Sequence, residues 1–406
     1  MRISTNQIFD QAIRGVTDNQ LGLAKTQQQL SSGKRILSAS DDPVGAAQVL
    51  RLTEELDQLA QYNKNNTLLQ NNLSQEEAVL RNVTETVQRA RSLTVQAGNG
   101  INSDKDRAAI GEEIEQIRDQ VFDLMNSRDA DGNYIFSGFQ SDSAAFIYDP
   151  SATGNKYQYQ GDDGQNRIQI SDNVSVATGD SGREVFENVL ARLKSTVTGG
   201  TAASASIEIT QQSTFDNFHK SNFDAVTAAN NVFTGTVNGA GTQITFTDAA
   251  ATNIGTVNFT SGEPFTFNGI QFNVTANAGE TVEFTLSTPE KKSLAETLND
   301  LATALKDNTL SSAQIDEAIA DALIGLDNGL ESVSDATAAI GGRMNIAESV
   351  ESANLDLELA NKSARSEIQD VDYAEAVSEL SKQETALQAA QQTFSRVTSL
   401  SLFDFI

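Results

Sequence analysis

Gly179-Asp180-Ser181-Gly182 has the residue types of the nucleophile segment of a chymotrypsin-like protease. That chemistry needs a histidine to take the serine proton. His219 is the only histidine in the chain, and it lies downstream of the serine, the reverse of the order in that family. The segment therefore reads as a turn leading into a helix around Val185 to Leu193. A single histidine also excludes an H-E-x-x-H zinc site, and His219 reads as a surface or partly packed residue. Asp129-Ala130-Asp131-Gly132 opens like a calcium loop, but its glycine comes too early and the closing glutamate is missing. It reads instead as a helix-ending turn into a strand. Ala97-Gly98-Asn99-Gly100 lacks the preceding strand that a phosphate-cradling glycine loop requires, and reads as a turn between helices. Cysteine is absent, which removes thiol chemistry, disulfides and cysteine-ligated zinc together. No catalytic, cofactor or metal residues are expected, and the chain reads as a non-enzyme.

Composition narrows the partners. At 406 residues the length suits two or three domains. A formal net charge of -27 argues against nucleic acid and against an anionic membrane surface. No apolar run reaches the length of a membrane span, and the opening Met1-Arg2-Ile3-Ser4-Thr5-Asn6-Gln7 carries no apolar stretch of a secretory leader. Of 27 glycines, 19 fall between Gly98 and Gly279, so the flanks are helical in composition and the middle is rich in turns.

The elements that carry function must then be the flanks. Phe9, Val16, Leu23, Leu30 and Leu37 recur every seven residues, the spacing of a helix that keeps one stripe against a partner helix. Gly15, Gly22 and Gly33 lie inside the pattern, each costing about 1 kcal/mol relative to alanine. At the far end Leu380, Leu387, Phe394 and Ser401 share one register, with Gln383, Ala390 and Val397 on the adjacent seam position, and Leu402, Phe403 and Phe405 follow. Narrow stripes with glycines on one helix and polar seam positions on the other leave too little apolar surface for a lone hairpin. These residues are expected to be buried between subunits of an assembly. The inner stripes, Leu52 to Val87 and Ile319 to Met344, read as intramolecular packing.

Asp42-Pro43 starts a helix, because the carboxylate accepts orphan amide protons and proline suits the first helical position. If unbroken to Ala97 it would be about 80 Å long at 1.5 Å per residue. Further helices are expected after Ser103, through Ile110, Ile114, Ile117, Val121 and Leu124, and from Thr288-Pro289 through Leu294, Leu298, Leu301 and Leu305. Ser311 with Gln314 forms a capping-box pattern that opens a long helix. Tyr157 to Gln160 and Arg167 to Ile170, joined by Gly161-Asp162-Asp163-Gly164, read as a hairpin. Alternating segments at Gln243–Thr247, Pro264–Phe267, Gln271–Val274 and Thr281–Phe284 read as strands, and ten of 19 phenylalanines between Phe215 and Phe284 supply a core for them. The expected fold is mainly α with inserted β, an elongated helical bundle or coiled coil built from both termini. Its expected domains are 1–42 with 370–406, 43–195 with 289–369, and a β-rich insert at 196–288.

Leu30-Ser31-Ser32-Gly33-Lys34-Arg35-Ile36 and Ser40-Asp41-Asp42-Pro43-Val44-Gly45-Ala46-Ala47 resemble the N-terminal signature of the bacterial flagellin family. Ala353-Asn354-Leu355 and Ser366 to Glu375 resemble its C-terminal signature. The opening Met1-Arg2-Ile3-Ser4-Thr5, the stretch Gly132 to Asp142 with Ala145-Phe146, and the ending Leu400 to Ile406 are similar to the branch that joins hook to filament. The likeness covers residues 1–190 and 290–406. It implies a helical terminal domain, a helical body with a β-hairpin and an outer β-rich domain. It implies export through the flagellar type III apparatus to the outside of the cell, a cytoplasmic export chaperone, self-association in a helical ring, and contacts with hook-associated protein 1 and flagellin. A flagellin filament subunit, or a surface adhesin acting through the β insert, stays open as an alternative.

Overall fold

The computed structural model describes residues 5–403, apart from the side chains of Thr5, Asn6, Ile8 and residues 397–403. Seven α-helices follow in chain order: α1 Thr5–Ser32, α2 Pro43–Ala97, α3 Asp104–Met125, α4 Gln212–Asn222, α5 Leu294–Lys306, α6 Ser312–Gln369 and α7 Tyr373–Phe403. Twelve strands lie between α3 and α5: β1 Phe146–Tyr148, β2 Tyr157–Tyr159, β3 Arg167–Ser171, β4 Val174–Ala177, β5 Ser195–Gly200, β6 Ser204–Ile209, β7 Val232–Val237, β8 Gln243–Thr247, β9 Asn253–Asn258, β10 Phe265–Phe267, β11 Ile270–Thr275 and β12 Thr281–Leu286. The protein is mainly helical with several small antiparallel sheets. Among the described residues no helix is long and apolar enough to cross a membrane.

Backbone contacts divide the chain into two compact units. The first holds residues 1–70, 168–176 and 344–406. Its α2 segment buries Leu52, Leu56, Leu59, Tyr62 and Leu69, with Ala347 and Asn354 buried on α6. Polar ties cross this pair: Asn66 donates to the Ala347 carbonyl at 2.9 Å and Gln70 to the Glu351 carboxylate at 2.8 Å.

The second unit holds residues 71–167 and 177–343. Its helical core packs Leu73, Leu80, Val83 and Val87 of α2 with Ile114 and Val121 of α3, Leu294, Leu298 and Leu301 of α5, and Leu326, Val333 and Ile340 of α6, all fully buried. Helix starts are set locally. Ser103 and Asp106 form a reciprocal capping box at α3, and Ser311 and Gln314 exchange the same pair of bonds at α6. The β-rich part forms a five-stranded sheet in the order β5-β12-β7-β8-β9 and a three-stranded sheet β10-β11-β6. Phe215, Phe233, Phe246, Phe272 and Phe284 fill the core between them, with the Phe246 and Phe267 rings stacked 4.2 Å apart.

Four expectations are corrected. The hairpin joining 157–160 to 167–170 does not form. Tyr157–Tyr159 pairs with Phe146–Tyr148, and Arg167–Ser171 pairs with Val174–Ala177 across the two residues Asp172-Asn173. The 161–164 segment is held elsewhere: Asp162 donates its N–H to the Ser137 carbonyl, and its carboxylate accepts from the N–H groups of Phe139 and Gly164. The helix expected from Thr288 starts only at Leu294, because residues 287–292 run extended beside 189–194, with Ala191 donating to the Glu290 carbonyl and Lys292 to that of Val189. The same pairing limits the helix after Gly182 to a π-helical turn, Arg183–Glu187. His219 is 1% exposed, not at the surface, because α4 lays it against the β-domain core.

Candidate assembly surface

The first unit brings both stripes together. Helices α1 and α7 run antiparallel: the rings of Phe9 and Phe394 lie 5.3 Å apart near one end, and Gly33 meets Val371 at the other. Val16, Leu23, Leu30, Leu380, Leu387, Ala390 and Phe394 are half-buried in this pair, while Phe9 stays 40% exposed. Leu37 falls outside α1. Gly33 takes a left-handed φ of +72° that ends the helix, so the seven-residue register stops at Leu30 and Leu37 sits half-buried in the turn beyond. The side chains of Val397, Leu402 and Phe403, and all of Phe405, lie outside the described residues.

The middle of the seam is polar. Thr26, buried, donates its hydroxyl to Oε1 of Gln383 at 3.1 Å, and Nε2 of Gln383 donates to Glu379 at 3.1 Å. Gly22 makes room for this: a Cβ there would come within 3.3 Å of the Gln383 amide. Apolar surface remains uncovered beside the seam, on Ile13, Leu21, Tyr373 and Val377, with Leu21 65% exposed. A strict seven-residue search passes over these residues. Ile13 could have been found as the position four after Phe9.

At the base of the pair the two terminal signatures meet. Val371 donates to the Gly33 carbonyl at 3.0 Å, Arg35 donates its N–H to the Gln369 carbonyl at 2.7 Å, and the Arg35 guanidinium donates to the Ile368 carbonyl at 2.9 Å. The turn that follows is organised by Asp41, whose carboxylate accepts from the N–H groups of Leu37 and Ser38 and pairs with Lys25 Nζ at 2.7 Å. Lys25 and these amides hold the Asp41 carboxyl down at about 2. Asp42 then accepts from the Gly45 N–H at 2.9 Å to open α2. Beside the paired signatures Lys34, Lys362, Arg365 and Asp370 line a hollow of about 350 Å³, with Lys362 paired to Glu358.

The residues with catalytic appearance are engaged structurally. Ser181 is 3% exposed and donates to the Tyr159 hydroxyl at 3.1 Å. His219 sits in a different environment, its Nε2 2.8 Å from the Ser287 carbonyl and its ring stacked on Phe223. Asp129 accepts from the N–H groups of Asp131 and Asn133 and from the Asn133 amide, closing a turn with Gly132 at φ +90°. Burial pushes its carboxyl up, but these bonds outweigh it and hold the group below its ordinary value.

Comparison with known proteins places these features. Residues 3–141 match the bacterial flagellin N-terminal helical region, and residues 324–406 match the bacterial flagellin C-terminal helical region. Flagellar hook-associated protein 3 of Escherichia coli (strain K12) is 27% identical over 403 residues, 99% of each chain. Phase 1 flagellin of Salmonella naestved is 33% identical over 135 residues, 33% of this chain and 27% of its own. In fold the chain is similar to flagellar hook associated protein-3 from Legionella pneumophila, with a TM-score of 0.60 at 22% identity, covering 79% of this chain and 99% of that one.

Proposed function

Because the chain belongs to the bacterial flagellin family, we propose that it is a structural adaptor of the flagellum, joining the hook, through hook-associated protein 1, to the flagellin filament. The observation that carries this reading is the extent of the likeness. It runs over 99% of the chain with hook-associated protein 3 of Escherichia coli, whereas the flagellin match covers 33% of it. The adaptor works outside the cell, reaches it through the flagellar type III apparatus, and is held before export by a cytoplasmic chaperone.

The mechanism follows from the seam. Within one chain α1 and α7 cover their stripes only in part and bury a polar centre at Thr26 and Gln383. Neighbouring copies in a helical ring, and the related proteins above and below, supply the missing apolar faces. Ordering the ends then costs conformational entropy at the moment of assembly, which allows a soluble export form and a stable final one. A head-to-tail contact of this type propagates along a lattice instead of closing as a dimer.

Deletion of residues 1–40 is the test. The remaining chain is expected to fold and stay soluble, while cells carrying it bear bare hooks and shed flagellin into the medium. Attached filaments and normal swimming in that strain would overturn the proposal. Growth of the purified full chain into long filaments would favour a flagellin instead.

A further inference from the structure

Segment 178–182 is tied down by charge in the second unit. Asp180 donates its main-chain N–H to Oε1 of Glu76 on α2 at 3.0 Å. Its carboxylate accepts from the Arg343 guanidinium on α6, and from Nε2 of Gln165 at 3.1 Å. Glu76 is fully buried at 0% exposure. Two atoms of this cluster are buried with no hydrogen-bond partner: Oε2 of Glu76 and Nη1 of Arg343. A Cβ built on Gly179 would lie 3.7 Å from Glu76 Oε2, so the orphan oxygen borders glycine backbone that brings it no donor.

That arrangement suits a carboxyl, not a carboxylate. A buried anion needs donors or a cation on its oxygens, and only Oε1 has one. A neutral group offers Oε1 as the acceptor and carries its proton on Oε2. The charges facing Glu76 are Asp180 from the loop and Arg343 from α6. On α2 itself the adjacent Glu77 is engaged by Arg81. We propose that Glu76, Asp180 and Arg343 form a proton-operated latch, closed when Glu76 is neutral and opened by its ionisation, that attaches segment 178–182 to α2 and α6.

Burial first, and the Asp180 carboxylate second, push Glu76 up to about 8, against the opposing pull of the Asp180 amide and Arg343. Freed into water, the group returns to its ordinary value of 4.5. Between these two values the closed form holds a proton that the open form has lost. The latch is therefore most stable below 4.5, weakens about tenfold per pH unit as pH rises, and changes no further above 8.

Amide exchange of Asp180 and Gly182 in the full-length chain, corrected for intrinsic rate, tests this from about pH 5 to 9. The opening constant is expected to rise about tenfold per pH unit and level off near 8. In Glu76→Gln, which copies the neutral carboxyl, it should be flat. Asp180→Asn keeps the amide bond but removes the like charge, so the levelling point should move to lower pH. A flat profile in the unaltered chain, or an unchanged slope in Glu76→Gln, would overturn the latch. If Glu76→Gln does not fold, an Asp180→Asn profile that levels off at the original pH does so on its own.

Discussion

The hydroxyl of Thr26 and the side-chain carbonyl of Gln383 meet 3.1 Å apart in the seam between the first and last helices, at a point where two apolar side chains would be expected. This polar centre, together with Gly22 beneath it, keeps the pair weaker than an apolar seam of the same length. Replacing Gln383 by Leu should add buried apolar surface worth about 1 kcal/mol. Thermal unfolding of the terminal helices, followed by far-ultraviolet circular dichroism in the isolated chain, should move upward. An unchanged or lowered transition would mean that the polar contact is itself the stronger tie.

Gly33 holds a left-handed φ of +72° where α1 ends and the two signatures pair. Gly33→Ala should cost about 1–2 kcal/mol, and its Cβ would press on the Tyr373 hydroxyl 3.2 Å away. Exchange of the Arg35 and Val371 amides, which bond Gln369 and Gly33 across the junction, should accelerate. Unchanged protection of both amides would contradict this.

Asp41 gives the turn after α1 an acid-sensitive element. Its folded value of about 2 lies below the ordinary 3.8, so its contribution is present above 3.8 and is lost as pH falls through about 2. Lys25→Ala removes the largest cause of the depression, and carboxyl titration by NMR should then show Asp41 rising toward 3.8. A titration unmoved by that substitution would show that the Leu37 and Ser38 amides suffice.

Ser181 is a buried packing residue. Ser181→Ala should cost about 1 kcal/mol in thermal unfolding, through loss of its bond to the Tyr159 hydroxyl. Hydrolysis of casein by the purified chain that vanishes in this variant would overturn the non-enzymatic reading.

What the sequence made legible was local or periodic. The Ser311 and Gln314 cap needs only its own three-residue spacing, and the inner helical stripes repeat often enough to be read directly. What failed depended on partners far along the chain. Whether Tyr157–Tyr159 joins Phe146–Tyr148 or Arg167–Ser171 is settled by where Asp162 is tied, which no short window reveals. Residues 287–292 look like a helix start until their pairing with 189–194 is known. In the terminal pair the stripes are readable, but the seven-residue pattern runs on through Gly33 to Leu37, and only its left-handed φ shows that α1 ends there. The Glu76 latch did leave a trace. Leu69, Leu73, Leu80, Val83 and Val87 alternate steps of four and three with one position missing, and Glu76 occupies it. A carboxylate inside an apolar stripe is a buried charge in waiting.

The most direct measurement is hydrogen exchange on the purified chain at a dilution where it is a single copy, read helix by helix. Residues 5–32 and 373–396 should exchange orders of magnitude faster than the α2 and α6 cores and reach the protection of those cores only when hook-associated protein 1 and flagellin are added with the chain to hooks. Protection of both ends in the lone chain equal to that of α2 and α6 would contradict the claim that assembly completes the seam.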